Sequence, residues 1–219
     1  MAGERGPKLK AGLESAGGLP KKLLFLVTED WYFLSHRLEL ARNLQAAGWS
    51  VEVACSAGRQ AKRIVQEGFH LHPVSFHRQS LAPWAVLDSI VALRRVIRPD
   101  LILPVALRPM LLAPWCIPSA TPVINLLAGM GSLFTEAASR RRLWGLARWV
   151  GLSLCRSLGR PQTWTVVQNR EDREEILKKT GLGQDRVVLI EGTGVDPKSW
   201  QPQPETPAHP PRLVFVGRL

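Results

Sequence analysis

Seven short apolar runs, at residues 23–27, 51–55, 69–74, 100–103, 123–126, 163–167 and 187–190, alternate with segments whose apolar residues recur at helical spacing. A continuous apolar run of this length marks a strand covered on both faces, and parallel neighbours need long crossover connections. The alternation therefore predicts an α/β fold, a doubly wound parallel sheet of Rossmann-like type. Local signals place the helices. Ser35 reads as the cap of a helix carrying Leu38, Ala41 and Leu44, which Gly48 stops in a left-handed turn. A helix over 60–66 follows the second strand, and Leu87, Ile90, Leu93 and Ile97, with Val91 beside them, form a stripe on a helix over 81–97 that Pro99 cannot continue. Residues 107–116 read as a short helix and 136–158 as a long one. Asn169 then caps a helix with Glu171 and Asp172 in its first turn and Lys178 and Lys179 in its last, an arrangement that suits the helix dipole, before Gly181.

The ends of the sequence have a different character. Residues 1–20 are rich in Gly and Lys, lack the apolar core of a signal peptide and read as a disordered leader to a domain over 21–200. A proline-rich linker over 201–211 leads to a fresh apolar run at 212–219, expected to be the first strand of a second lobe truncated as it opens. A formal net charge of +11 attracts anions, so nucleic acid, anionic lipid and nucleotide or pyrophosphate substrates all fit the field. Nucleic acid is the weakest of these, because no RRM-type basic and aromatic signature occurs. Cys55, Cys116 and Cys155 are widely spaced, which suits a reducing cytoplasm better than a disulfide framework. No run of roughly 18 apolar residues offers a membrane span. Membrane contact is therefore expected only at the surface, on the cytoplasmic face.

In a doubly wound sheet, ligands sit outside the carboxyl ends of the strands. That rule selects the segments after each strand: residues 28–36, Arg108, residues 125–132, Asn169 and residues 191–196. The first of these has no G-x-G-x-x-G, which argues against a dinucleotide site. His36 is a candidate for binding an acceptor hydroxyl or phosphate, or alternatively a local cap; Arg108 is a candidate phosphate or acceptor contact, or a solvated charge. Gly129 and Gly131, next to Ser132, allow a close backbone approach to a ligand or simply a tight turn. On the long helix Leu143, Ala147, Val150 and Leu154 line one side, while Arg141, Arg148 and Arg156 with Trp149 and Leu152 line the other. Apolar side chains within a basic face suit an anionic membrane interface, with burial against a neighbouring segment as the alternative. Carboxylates and histidines form no ligand-like cluster for a metal.

The run Leu24-Phe25-Leu26-Val27-Thr28-Glu29-Asp30-Trp31-Tyr32-Phe33-Leu34-Ser35-His36-Arg37, the later Asn125-Leu126-Leu127-Ala128-Gly129-Met130-Gly131, the Gly194-Val195-Asp196 turn and the terminal Val216-Gly217-Arg218-Leu219 together resemble family 4 retaining glycosyltransferases. Within that family the resemblance is to bacterial enzymes of polysaccharide and lipid-linked oligosaccharide synthesis. It implies the GT-B architecture, two Rossmann-like lobes across a cleft, with this chain as the N-terminal, acceptor-side lobe. It also implies a nucleotide-sugar donor, a UDP-sugar, with no metal and no further cofactor. Gly217 and Arg218 match the family's diphosphate-binding pair, a role suited to a guanidinium that meets phosphate oxygens through parallel hydrogen bonds. Several members place a catalytic-site histidine after the strand that corresponds to 123–126, and this sequence has none there. The front-face mechanism proposed for such enzymes asks little of a protein base, since the donor phosphate takes the acceptor's proton. A lipid-linked or polysaccharide acceptor, an anionic membrane surface and no nucleic acid complete the implied partners. On this reading, residues 1–219 alone have little or no activity. A reading from another class is a non-catalytic basic module that binds a membrane surface or another anion.

Overall fold

The computed structural model describes residues 21–76, 83–96, 98–129, 153, 157–192, 194, 201 and 215, without the side chains of 83–86, 95 and 96. The expected leader, all but one residue each of the linker and the last strand, and most of the expected long helix lie outside these residues. The described chain builds β1 (Lys22–Glu29), α1 (Asp30–His36), α2 (Leu38–Ala46), β2 (Ser50–Ser56), α3 (Ala61–Gln66), β3 (His70–Pro73), α4 (Pro83–Val96), β4 (Leu101–Pro104), α5 (Leu107–Cys116), β5 (Val123–Leu127), β6 (Thr163–Val167), α6 (Arg170–Thr180) and β7 (Val187–Leu189). The strands form one seven-stranded sheet in the order β3-β2-β1-β4-β5-β6-β7. Every neighbouring pair is parallel. This is the doubly wound α/β sheet that the alternating runs imply.

Strand β1 lies inside the sheet, between β2 and β4, and is apolar on both faces because both are covered. Leu23, Phe25 and Val27 point to the side packed by Phe33, Leu34, Leu38, Ala41 and Ile64 of α1, α2 and α3. Leu24 and Leu26 point to the other, where Leu93 of α4 and Leu112 and Ala113 of α5 meet them. Met110 and Leu111 of α5 extend that second layer over Leu127, Val167 and Ile176. The Phe33 ring meets Phe25 and Phe69 edge to face, with centroids at 5.5 and 5.7 Å, tying α1 to β1 and to the turn before β3.

Helix α6 follows its sequence signals in detail. The Asp172 amide donates to Asn169 Oδ1 at 2.7 Å, and Gly181 ends the helix at φ 66°. Elsewhere the structure corrects two expectations. Helix α1 begins at Asp30, five residues before the expected cap, so Ser35 lies inside it and its hydroxyl donates to the Trp31 carbonyl at 2.8 Å. The cap is displaced because Asp30 supplies a buried carboxylate at the first helical position. On α4, Leu87 and Val91 are 58% and 44% exposed, whereas Ser89 and Leu93 are buried. The Ser89 hydroxyl donates to the Ser75 carbonyl at 2.6 Å, and that polar contact turns the helix away from its apolar stripe.

The thiols of Cys55 and Cys116 are buried, and burial pushes each up to about 12. In a Cys155→Ser variant, a thiol reagent should therefore modify neither cysteine of the native protein between pH 7 and about 9, and both after denaturation, as counted by mass. Rapid native modification of either would contradict the packing of β2 or α5.

Candidate functional site

The chain leaves β1 toward β2 on one side and returns from β3 to β4 on the other, so the order of winding reverses between β1 and β4. A crevice forms at such a switch point, outside the carboxyl ends of the strands, because the flanking connections diverge to opposite faces. Its walls here are the β1–α1 turn at Glu29 and Asp30, and the β4–α5 turn at Val105, Ala106 and Leu107.

Asp30 fixes the first wall. Its side chain is buried, with Oδ1 accepting from the Trp31 amide at 2.7 Å and Oδ2 from the Gly58 and Gln60 amides at 2.8 and 2.9 Å. One carboxylate thus holds the start of α1 and the loop between β2 and α3 together, through charge-assisted bonds to backbone donors. Gly58 permits the approach: a Cβ there would lie 3.1 Å from both carboxylate oxygens.

The second wall holds backbone strain. Ala106 sits at φ 71°, ψ 168°, a region essentially restricted to glycine. The Val105 amide donates to the Leu26 carbonyl at 2.8 Å and the Ala106 amide to the Leu126 carbonyl at 2.9 Å, so both neighbouring strands hold the turn in place. Among the described residues Ala106 is the one non-glycine with positive φ. Arg108 follows in the first turn of α5, partly buried, and desolvation lowers the pKa of its guanidinium. Gly129, with φ 133°, lies two residues beyond the end of β5 on the same edge of the sheet.

His36 lies elsewhere. Because α1 starts at Asp30, His36 is carried roughly 9 Å down the helix from the rim, at about 1.5 Å per residue. Its ring stacks on Tyr32 with centroids 4.4 Å apart, and its Nδ1 lies 2.6 Å from the Ser35 hydroxyl. Next to it Arg37, which joins α1 to α2, is only 6% exposed.

The structure therefore brings Arg108 and Gly129 to the rim and sets His36 apart from them. Gly131, Ser132, Arg141, Arg148, Trp149, Leu152, Arg156, Gly217 and Arg218 lie outside the described residues. Sequence reasoning missed Asp30, Ala106 and Arg37. Arg37 left a signal, a charge in register with Phe33, Leu34, Leu38 and Ala41 on a buried stripe. Alanine at position 106 left none. Among the described residues no three His, Cys, Asp or Glu side chains converge as a metal site would require, and no helix is long and apolar enough to cross a membrane.

The family model described as "Glycosyl transferase 4-like" matches residues 22–145, which include both walls of the crevice. No curated protein matches the sequence. Among solved structures, Anabaena Alr3699/HepE in complex with UDP and glucose is 11% identical with a TM-score of 0.55, covering 84% of this chain and 47% of its own. A UDP-GlcNAc 2-epimerase from Neisseria meningitidis bound to UDP-GlcNAc is 15% identical at TM-score 0.54, over 78% of this chain and 47% of that one. MurG from Acinetobacter baumannii is 14% identical at TM-score 0.50, over 83% and 48%. At these identities the likeness is one of fold, and this chain spans about half the length of each.

Two substitutions test the walls. Asp30→Ala leaves three backbone donors without their shared acceptor and should cost about 3 kcal/mol, read as a lower denaturant midpoint at unchanged slope. A loss under about 0.5 kcal/mol would mean that the carboxylate does not hold the two turns. Ala106→Gly should move stability the other way, by about 1 kcal/mol, because glycine relieves strain of about 1–3 kcal/mol while adding chain entropy to the unfolded state. A destabilised Gly variant would contradict the observed backbone.

Proposed function

The chain belongs to the glycosyl transferase 4-like family, and on that premise we propose that it forms the acceptor-binding lobe of a retaining glycosyltransferase that elongates a lipid-linked or polysaccharide acceptor. The observation that carries this reading is the switch-point crevice itself, where a strained alanine and a partly desolvated arginine stand at the entrance to α5, within the matched segment. Strain at a glycine-only conformation persists where the surroundings enforce it, and it clusters at ligand-binding turns. The guanidinium of Arg108 offers planar paired donors for a saccharide hydroxyl or a phosphate.

In this reading the acceptor lies along the rim, contacted by Arg108, by the backbone at Gly129 and Gly131 and by Ser132, with His36 touching it further down α1. The donor is a nucleotide-sugar, a UDP-sugar, whose diphosphate is held by Gly217 and Arg218 with no metal. The bond from the anomeric carbon to the diphosphate breaks while the acceptor oxygen attacks from the same face, and the acceptor's proton passes to the departing phosphate. The protein's part is to position the two partners and to stabilise the negative charge that grows on the leaving group. Arg141, Arg148, Trp149, Leu152 and Arg156 rest on an anionic membrane surface on its cytoplasmic side, bringing the lobe to a lipid-borne acceptor.

Residues 1–219 alone should bind a dodecyl diphosphate-linked N-acetylglucosamine, measured by titration calorimetry, and should give no sugar transfer from radiolabelled UDP-sugars above the blank. Arg108→Met should weaken the binding by about tenfold, the equivalent of about 1.4 kcal/mol. Robust turnover by this chain would refute the one-lobe reading, and absence of saccharide binding would refute the acceptor assignment.

A further inference from the structure

The arginines whose contacts are described mostly discharge onto acceptors. Arg160 Nη2 donates to the Ile117 and Pro118 carbonyls, Arg173 Nε to the Val187 carbonyl and Arg186 to those of Arg160 and Pro161. Arg42 pairs with Glu39 and Glu67. Arg37 is different. It is 6% exposed, its Nε has no hydrogen-bond partner, and it takes part in none of the ion pairs found among the described residues. Burial lowers its pKa, and the side chain that opposes this effect is Tyr32, through its hydroxyl.

A buried cation without a counter-charge is costly, and folded proteins pair such groups with an anion. The residues around Arg37 are equipped to receive one. Tyr32 offers a hydroxyl beside the guanidinium, and His36 is held flat on the Tyr32 ring at 4.4 Å. The Ser35 hydroxyl has two backbone carbonyls in reach, at Trp31 and Tyr32, and these can only accept. The direction of the 2.6 Å contact between Ser35 Oγ and His36 Nδ1 is set by the imidazole tautomer. That contact orients the imidazole, and the tautomer with the proton on Nε2 presents a donor to a phosphate oxygen.

We infer that Arg37, Tyr32 and His36 at the α1–α2 junction form a phosphate-binding site, separate from the crevice at the strand ends and suited to a diphosphate. Within the proposed function, on which this assignment of its ligand rests, the diphosphate belongs either to the lipid carrier of the acceptor or to the nucleotide donor. The guanidinium supplies the counter-charge, and the phenol and imidazole complete the oxygen contacts. The anion would supply a counter-charge that none of the ion pairs among the described residues gives Arg37, and its binding would stabilise the folded chain.

The test is thermal melting of the full 219-residue chain with inorganic pyrophosphate, at constant ionic strength. Pyrophosphate should raise the melting temperature of the unmodified protein by several degrees. Arg37→Met should melt at or above the unmodified protein without anion, since an unpaired buried charge has been removed, and should lose the rise. Tyr32→Phe keeps the ring stack and should retain a smaller rise. Arg108→Met should keep the full rise, and a lack of saccharide binding by the unmodified protein with this response intact would sink the proposed function and leave the phosphate site standing. UDP and dodecyl diphosphate form the final arms, and the one that exceeds pyrophosphate identifies the source. An equal rise in Arg37→Met, a rise abolished by Arg108→Met instead, or no rise in the unmodified protein would each overturn the site. So would Arg37→Met melting well below the unmodified protein while still responding, which would make the residue purely structural.

Discussion

The contact on which the site most depends is the buried Asp30 carboxylate, which takes hydrogen bonds from the Trp31, Gly58 and Gln60 amides. It closes the carboxyl edge of β1 and β2 in one step. It also starts α1 directly at the strand end, and every later position on that crossover follows from it. Phe33 lands between Phe25 and Phe69, Ser35 becomes an internal helix residue, and the side chains of His36 and Arg37 end up a helix length below the rim. Were the helix to begin at Ser35 instead, His36 would sit at the strand ends beside the crevice. The geometry of the candidate site is thus set by a residue that need not touch a substrate.

Most of the fold was legible because its signals are local. Continuous apolar runs specify strands buried on both faces, and each of the seven sits in the sheet close to where its run lies. Asn169 and Gly181 act within one turn of themselves, so their roles could be read without knowing the neighbours. Legibility fails where a contact spans the sequence. Asp30 meets Gly58 and Gln60 from 28 and 30 positions away, so the start of α1 was misread. Ser89 reaches back to Ser75, and the stripe on α4 was rotated accordingly. At the site, Arg108 and Gly129 were legible from their positions after strands. Ala106 was not, because nothing in an alanine announces a glycine's conformation, and it is two long-range backbone bonds that impose it.

The two strands that flank β4 account for that strain. Val105 is tied to β1 through Leu26, and Ala106 to β5 through Leu126, so consecutive residues are pulled toward opposite neighbours. A chain that must satisfy both bonds and then enter α5 at once has little freedom left in φ and ψ. The result is a rigid turn at the one edge of the sheet where flanking connections diverge. Rigidity there has a functional sense: a group fixed before a ligand arrives loses less entropy on binding than one that must be ordered by it.

Charge adds a second level of organisation. A net +11 spread over the surface raises the local concentration of anions but selects none of them, and salt screens it within about 10 Å. Desolvated guanidiniums behave otherwise, since in a low-dielectric setting each attraction is stronger and each unpaired charge more costly. Arg108 and Arg37 both have pKa values lowered by burial, one at the strand ends and one beneath α1. The diffuse field can deliver an anionic ligand, while under the proposed function Arg108 at the start of α5 and Arg37 at the end of α1 would distinguish a ligand with phosphate at one end and hydroxyls at the other from a simple anion. Selectivity for such a two-part molecule would then come from spacing that the parallel sheet sets, and the diffuse charge would govern only the rate of encounter.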